Sequence, residues 1–293
     1  MSKEWLDDQY QQRVKKIIED PSYCLAYEDT ELMADEDLRA VRLQLELLKP
    51  ENYLQRHHIN STVVVFGSAR IPSPEQAQSI LEAIEEQVRH RPDDEKINLA
   101  KSRACRDLRQ SKYYEEARRF AQIISERFQI EGRRDFVVVT GGGPGIMEAA
   151  NRGAFEANGR SIGFNITLPN EQTPNSFITP GLCFQFRYFG LRKMHFLLRA
   201  VALVAFPGGY GTLDELFEVL TLMQTGKMQR VPIVLVGKTF WQRAVDFSFF
   251  LEEGFVNEKD INLFTIVDTA EEIVTKIHEF YDGKPPVKCA RPY

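Results

Sequence analysis

Ala200-Val201-Ala202-Leu203-Val204-Ala205-Phe206 runs directly into Pro207-Gly208-Gly209-Tyr210-Gly211-Thr212-Leu213-Asp214-Glu215. The first part is a continuous apolar run, as a buried strand requires. The second breaks the chain on glycines and then opens an amphipathic segment from Leu213 to Gln224. A strand that ends in a glycine turn and gives way to a helix leaves backbone N–H groups unpaired at the helix start. Such a start favours an anion. Glu215 sits awkwardly there, because a carboxylate repels phosphate. Thr212-x-x-Glu215 also has the spacing of a capping box, in which both side chains satisfy the first N–H groups of the helix.

The same grammar extends in both directions. Apolar runs at Thr62 to Gly67, Phe136 to Val139, Ile162 to Ile166 and Ile233 to Val236 read as buried strands, with a weaker one at Phe264 to Val267. Helical patterns cover Tyr113 to Phe128, Ile146 to Ala157, Tyr188 to Arg199, Phe240 to Leu251 and Ala270 to Tyr281. Strands alternating with helices predict an α/β fold around a mainly parallel sheet. Ligands of such sheets bind beyond the carboxyl ends of the strands. Three glycine turns fall there: Gly67-Ser68-Ala69-Arg70, Gly141-Gly142-Gly143-Pro144-Gly145 and the Pro207 turn. Glycines let the backbone approach a ligand and point N–H groups at it, so the Gly141 turn reads as a phosphate site. Small residues after it (Ala149, Ala150, Gly153, Ala157) suggest close packing of the following helix on the sheet.

Residues 1–58 read as a strand-free helical extension. Leu38, Val41, Leu45 and Leu48 are spaced as on a helix from Ala34, which Pro50 should close. Residues 59–283 form the α/β domain, and 284–293 a tail. Residues 73–111 read as a charged helical insertion with a polar break at Arg89-His90-Arg91-Pro92-Asp93-Asp94-Glu95.

Composition narrows the function. The net charge of −5, with basic residues spread evenly, argues against nucleic acid or a membrane surface as partner. Four separated cysteines without a CxxC pair fit a reducing cytoplasm, and no apolar run approaches the ~20 residues of a membrane helix. A cytoplasmic location is expected. Neither glycine turn is a dinucleotide fingerprint, since Ile146, Glu148 and Asp214 stand where glycines are needed. Gly237-Lys238-Thr239 lacks the earlier glycine of a P-loop, Pro232 standing there. No spacing suggests a metal site or a serine-nucleophile elbow. His195 reads as a packed or surface histidine rather than a catalyst. Arg192, Lys193 and Arg199 read either as an exposed basic face or as phosphate-neutralising cations.

Taken together, Pro207 to Glu215 fits P-G-G-x-G-T-x-x-E in full, with Arg192-Lys193-Met194 and Gly141 to Met147 upstream. The chain thereby resembles the LONELY GUY (LOG) family of nucleotide 5′-monophosphate phosphoribohydrolases, often mislabelled lysine decarboxylases, over about residues 60–282. The resemblance implies a Rossmann-like doubly wound sheet, no cofactor or metal, and a homodimer or larger homo-oligomer. It implies release of free base and ribose 5-phosphate from a nucleoside monophosphate, with Arg192 and Glu215 catalytic. Lys193 and the loop Gly208, Gly209, Tyr210, Gly211 and Thr212 match nucleotide-binding positions. Gly67, Ser68, Gly141, Gly142, Gly143 and Gly145, from the two earlier glycine turns, join them as expected substrate-binding residues, and Glu171 and Thr221 match two further substrate contacts. Phe189-Gly190-Leu191-Arg192-Lys193 departs from the M-H-x-R-K of plant-type enzymes, and Phe66-Gly67-Ser68-Ala69-Arg70 from C-G-S-S. Both departures point to a longer bacterial-type subgroup. A non-catalytic nucleotide or alarmone sensor on the same fold is the alternative.

Overall fold

A computed structural model describes residues 3–129, 134–167 and 173–284, with side chains from residue 8 onward. The chain divides into two compact units, Met1–Lys49 and Pro50–Tyr293. Helices α1 (Lys3–Ile18), α2 (Thr30–Ala34) and α3 (Arg39–Arg56) come first. Pro50 does not close the third helix as expected; it lies inside it. Proline removes a single N–H from the ladder. Continuing the helix buries Pro50 and Leu54 and brings Glu51 to Arg199 at 2.8 Å.

The larger unit then runs β1 (Thr62–Phe66), α4 (Pro74–His90), α5 (Glu95–Gln110), α6 (Lys112–Phe128), β2 (Val137–Thr140), α7 (Ile146–Glu156) and β3 (Ser161–Ile166). It continues with β4 (Cys183–Phe186), α8 (Phe189–Leu198), β5 (Ala200–Ala205), α9 (Tyr210–Gln224) and β6 (Ile233–Val236). Last come α10 (Lys238–Ala244), α11 (Phe247–Glu252), α12 (Glu258–Ile261), β7 (Phe264–Val267) and α13 (Ala270–Phe280). The seven strands pair in the order β4-β3-β2-β1-β5-β6-β7, every pair parallel. The expected strands are present, and the sheet is wholly rather than mainly parallel.

Alternation along β1 builds two cores. Val63 and Val65 point to one face, packed with α6, α7 and α13. Val64 and Phe66 point to the other, packed with Leu54 and with residues of α8, α9 and α10. Helices on both faces satisfy the burial that a parallel sheet demands.

Besides the third helix, three elements differ from expectation. Strand β4 leaves no apolar run in the sequence, because it is a four-residue edge in which only Phe184 and Phe186 turn inward. The helix expected from Phe240 to Leu251 breaks at Val245 and Asp246, where Asp246 Oδ1 accepts from Phe249 N at 3.1 Å and starts α11 afresh. Helix α9 begins at Tyr210, earlier than Leu213.

The small residues of α7 serve a helix as well as the sheet. A methyl group on Gly153 would overlap the carbonyl oxygen of Arg118 and crowd Ala121, both on α6. Alanine is the better helix former by roughly 1 kcal/mol. Even so, Gly153→Ala should destabilise the fold by about 1–3 kcal/mol, because backbone cannot yield to overpacking as a flexible side chain can. Urea denaturation checks this; a stabilised variant would show that α6 and α7 can separate at no cost.

Candidate active site

Strand order reverses between β1 and β5, so the chain leaves these neighbours in opposite directions and opens a crevice at their carboxyl ends. Phe206 N donates to Phe66 O at 2.9 Å and Ser68 N to Pro207 O at 3.0 Å, which fixes the two exit loops side by side. A cavity of about 640 Å³ lies there. Its walls include Gly67, Ser68 and Arg70 after β1, Gly141 after β2, Arg192 and Phe196 on α8, and Gly209 to Leu213 with Glu215 on α9.

Helix α9 meets the cavity with its amino end. Gly209 is its N-cap in extended backbone, and no side chain among the described residues caps the helix. The hydrogen bonds of the described residues leave the N–H groups of Tyr210, Gly211 and Thr212 without an acceptor. A Cβ on Gly209 or Gly211 would meet nothing within 4 Å, so packing inside the protein does not explain these glycines. Gly208 differs, since a Cβ there would overlap Thr212 Oγ1.

The capping-box reading of Thr212 and Glu215 is overturned. With the helix starting at Tyr210, Glu215 lies in its second turn, beyond reach of the N-cap. A true box stands at Thr269 and Glu272, where Glu272 Oε2 accepts from Thr269 N at 3.0 Å. Glu215 instead faces α8. Arg192 Nη2 donates to its Oε1 at 3.4 Å, the two side chains being 14% and 9% exposed. Among the described residues, the buried Arg192 Nε has no hydrogen-bond partner. One long contact cannot replace the water both charges have lost. Burial therefore pushes the Glu215 carboxyl up to about 7, against the pull of Arg192 and Lys193. Burial likewise lowers the Arg192 guanidinium despite the opposing pull of Glu215.

The other sequence candidates divide. Lys193 pairs with Asp214 at 2.7 Å and Glu218 at 3.1 Å and does not line the cavity. Burial opposes its charge, but the hydrogen bonds to Asp214 and Glu218 outweigh that and hold its pKa above the ordinary value. Of the Gly141 turn, only Gly141 reaches the cavity wall. Gly142 and Gly143 stand behind it, their carbonyls taken by Asn175 N at 2.9 Å and Asn175 Nδ2 at 3.0 Å. Gly145, at φ 70°, backs directly onto Ser68 and Ala69, where no side chain would fit. Thr221 lines a separate cavity of about 250 Å³ with Phe217, Phe247, Phe250 and Phe255. Glu171 lies outside the described residues. His195 is packed between Phe164 and Phe186, as expected, and Arg199 binds Glu51 and Ile59 O. Arg70, Met147 and Phe196 line the cavity without having been nominated. Arg70 could have been found from its place beside Gly67 and Ser68 at the end of the central strand.

Among the described residues, no group of three or more His, Cys, Asp or Glu is placed to hold a metal, and no helix is long and apolar enough to cross a membrane. A family model described as "Possible lysine decarboxylase" matches residues 147–277. Cytokinin riboside 5′-monophosphate phosphoribohydrolase LOG4 of Arabidopsis thaliana is 30% identical over 153 residues, covering 50% of this chain and 69% of the relative. The chain belongs to the LOG family. A rice relative (Oryza sativa subsp. japonica), named probable cytokinin riboside 5′-monophosphate phosphoribohydrolase LOG4, is 29% identical over 154 residues, 52% of this chain and 66% of its own length. The solved Moco carrier protein from Chlamydomonas reinhardtii is 17% identical, with a TM-score of 0.44 over 77% of this chain and 99% of its own. The segment matched by the family model contains Arg192, Glu215 and the Pro207 turn but starts after the Gly67 and Gly141 turns.

The raised pKa of Glu215 has a consequence for stability. A carboxyl that binds its proton more tightly when folded stabilises the fold fully below its ordinary pKa, and loses that contribution as pH rises towards 7. Relative to Glu215→Gln, the unsubstituted protein should lose on the order of 1–3 kcal/mol between pH 5 and pH 8. Thermal melts of both proteins across that range measure it. A difference that grows in favour of the native residue with pH would show that the Arg192 pair outweighs desolvation.

Proposed function

We propose that this protein hydrolyses the N-glycosidic bond of a nucleoside 5′-monophosphate, releasing free base and ribose 5-phosphate. The observation that carries this reading is the desolvated pair of Arg192 and Glu215, set in the same cavity wall as the uncapped start of α9. Such a site suits a ligand with an anion at one end and a developing cation at the other. The free N–H groups of Tyr210, Gly211 and Thr212 suit the 5′-phosphate. Glu215 suits the ribose.

As the C1′–N bond breaks, its electron pair leaves with the base and positive charge spreads over C1′ and the ring oxygen. An ionised carboxylate nearby stabilises that state more than the neutral sugar that precedes it. Water then bonds to C1′ through its oxygen, and the proton it gives up balances the charge on the departing base. Arg192, with Nε unpaired, donates to an acceptor on the substrate. The phosphoribohydrolase relatives from rice and Arabidopsis support this bond class, and cytokinin ribotides belong in the substrate panel beside ordinary purine and pyrimidine nucleotides.

The test is to incubate the purified protein with a panel of nucleoside monophosphates and to quantify base and ribose 5-phosphate by chromatography. Glu215→Gln and Arg192→Ala should each lower turnover by roughly a hundredfold or more. Near-normal release by either variant, or none by the native chain on any member of the panel, would sink the assignment.

Because the ionised form of Glu215 is the active one, kcat/KM should rise with pH through about 7 and then level off. Glu215→Gln should lose that limb. A profile that instead falls through the same range would make Glu215 a proton donor and overturn its role as a charge stabiliser.

A further inference from the structure

Arg192 lies against two aromatic rings of its own helix. The ring of Phe189 is centred 5.0 Å from its guanidinium carbon and that of Phe196 at 5.8 Å. Spacings of three and four residues place all of them on one face of α8. The two rings have different lives. Phe196 is 1% exposed, packs edge-on against Phe66 and Phe164, and belongs to the core. Phe189 is 51% exposed and has no place in either core cluster. Its ring lies instead against the Arg192 guanidinium.

The guanidinium has little else to orient it. Among the described residues, its contact with Glu215 is single and long, and Nε has no acceptor. A planar cation on a flexible stem, held by one weak hydrogen bond, would turn about its terminal torsions. Aromatic faces attract a cation electrostatically and also stack on the guanidinium plane. Lys193 secures the helix itself, tying α8 to α9 through Asp214 and Glu218. It does not hold the Arg192 head group.

We infer that Phe189 is a positioning residue: with Phe196, its ring holds the guanidinium of Arg192 against Glu215 at the cavity wall. The kinetic arm of its test rests on the hydrolase reading; the spectroscopic arm does not. Both use the full chain, with Phe189→Leu, Phe189→Tyr, Arg192→Lys and the double variant Phe189→Leu/Arg192→Lys. Phe189→Leu should lower kcat/KM about tenfold, and Phe189→Tyr should restore it. The melting temperature should not change, since the ring is outside the core. In the Arg192→Lys background, which lacks a planar guanidinium, the leucine should cost nothing further. Nitrogen-15 relaxation of the Arg192 Nε–H group should show an ordered side chain in the native protein and Phe189→Tyr, and a mobile one in Phe189→Leu.

An Arg192 equally ordered in Phe189→Leu overturns the inference, whatever the activity. So does an equal loss of kcat/KM with arginine or lysine at position 192. If the native chain releases no base, the hydrolase reading fails and the relaxation data alone decide the role of Phe189.

Discussion

The divergence of the chain at the carboxyl ends of β1 and β5 is the constraint on which the site depends. Neighbouring parallel strands whose following helices cover opposite faces cannot close the space between their exit loops. Here the crevice is further fixed by the bonds from Phe206 to Phe66 and from Ser68 to Pro207, which leave the loops little freedom to separate. The first places Gly67 to Arg70 on one wall. The second starts α9 with its free N–H groups facing the same space.

Within that crevice, desolvation sets the chemistry. Arg192 and Glu215 stand close enough to attract, yet a single 3.4 Å contact does not compensate for the loss of water around either. Both are displaced towards their neutral forms. The adjacent pairs of Lys193 with Asp214 and Glu218 are better formed, at 2.7 and 3.1 Å, and more exposed on the carboxylate side. One pair of helices thus carries a strong structural tie and a weak pair open to a ligand. The adjacent residues Arg192 and Lys193 serve different ends for that reason.

Much of the frame was legible in the sequence because buried parallel strands leave a continuous apolar record. Thr62 to Phe66 and Ile233 to Val236 are such runs, and the glycine turns after β1, β2 and β5 mark where the strands stop. Strand β4 left no such record, since an edge with one buried face needs only two inward residues. Pro50 misled because packing beyond it outweighs one lost hydrogen bond. The capping-box spacing of Thr212 and Glu215 misled for a local reason: Gly209 lets the helix begin earlier, which moves Glu215 out of the first turn.

By itself, the sequence determined the alternation of strand and helix and the glycine turns at the strand ends, which follow from local periodicity and from motifs a few residues long. Arg192 and Glu215 became a candidate pair only through the family resemblance that those motifs carry. Only the tertiary structure decided which turns reach the cavity, that Lys193 is committed to α9, and that Phe189 lies against Arg192. It also decided the direction in which the Glu215 proton equilibrium moves. Burial and distance are properties of elements brought together across the sheet. Such neighbours leave no periodic trace along the chain.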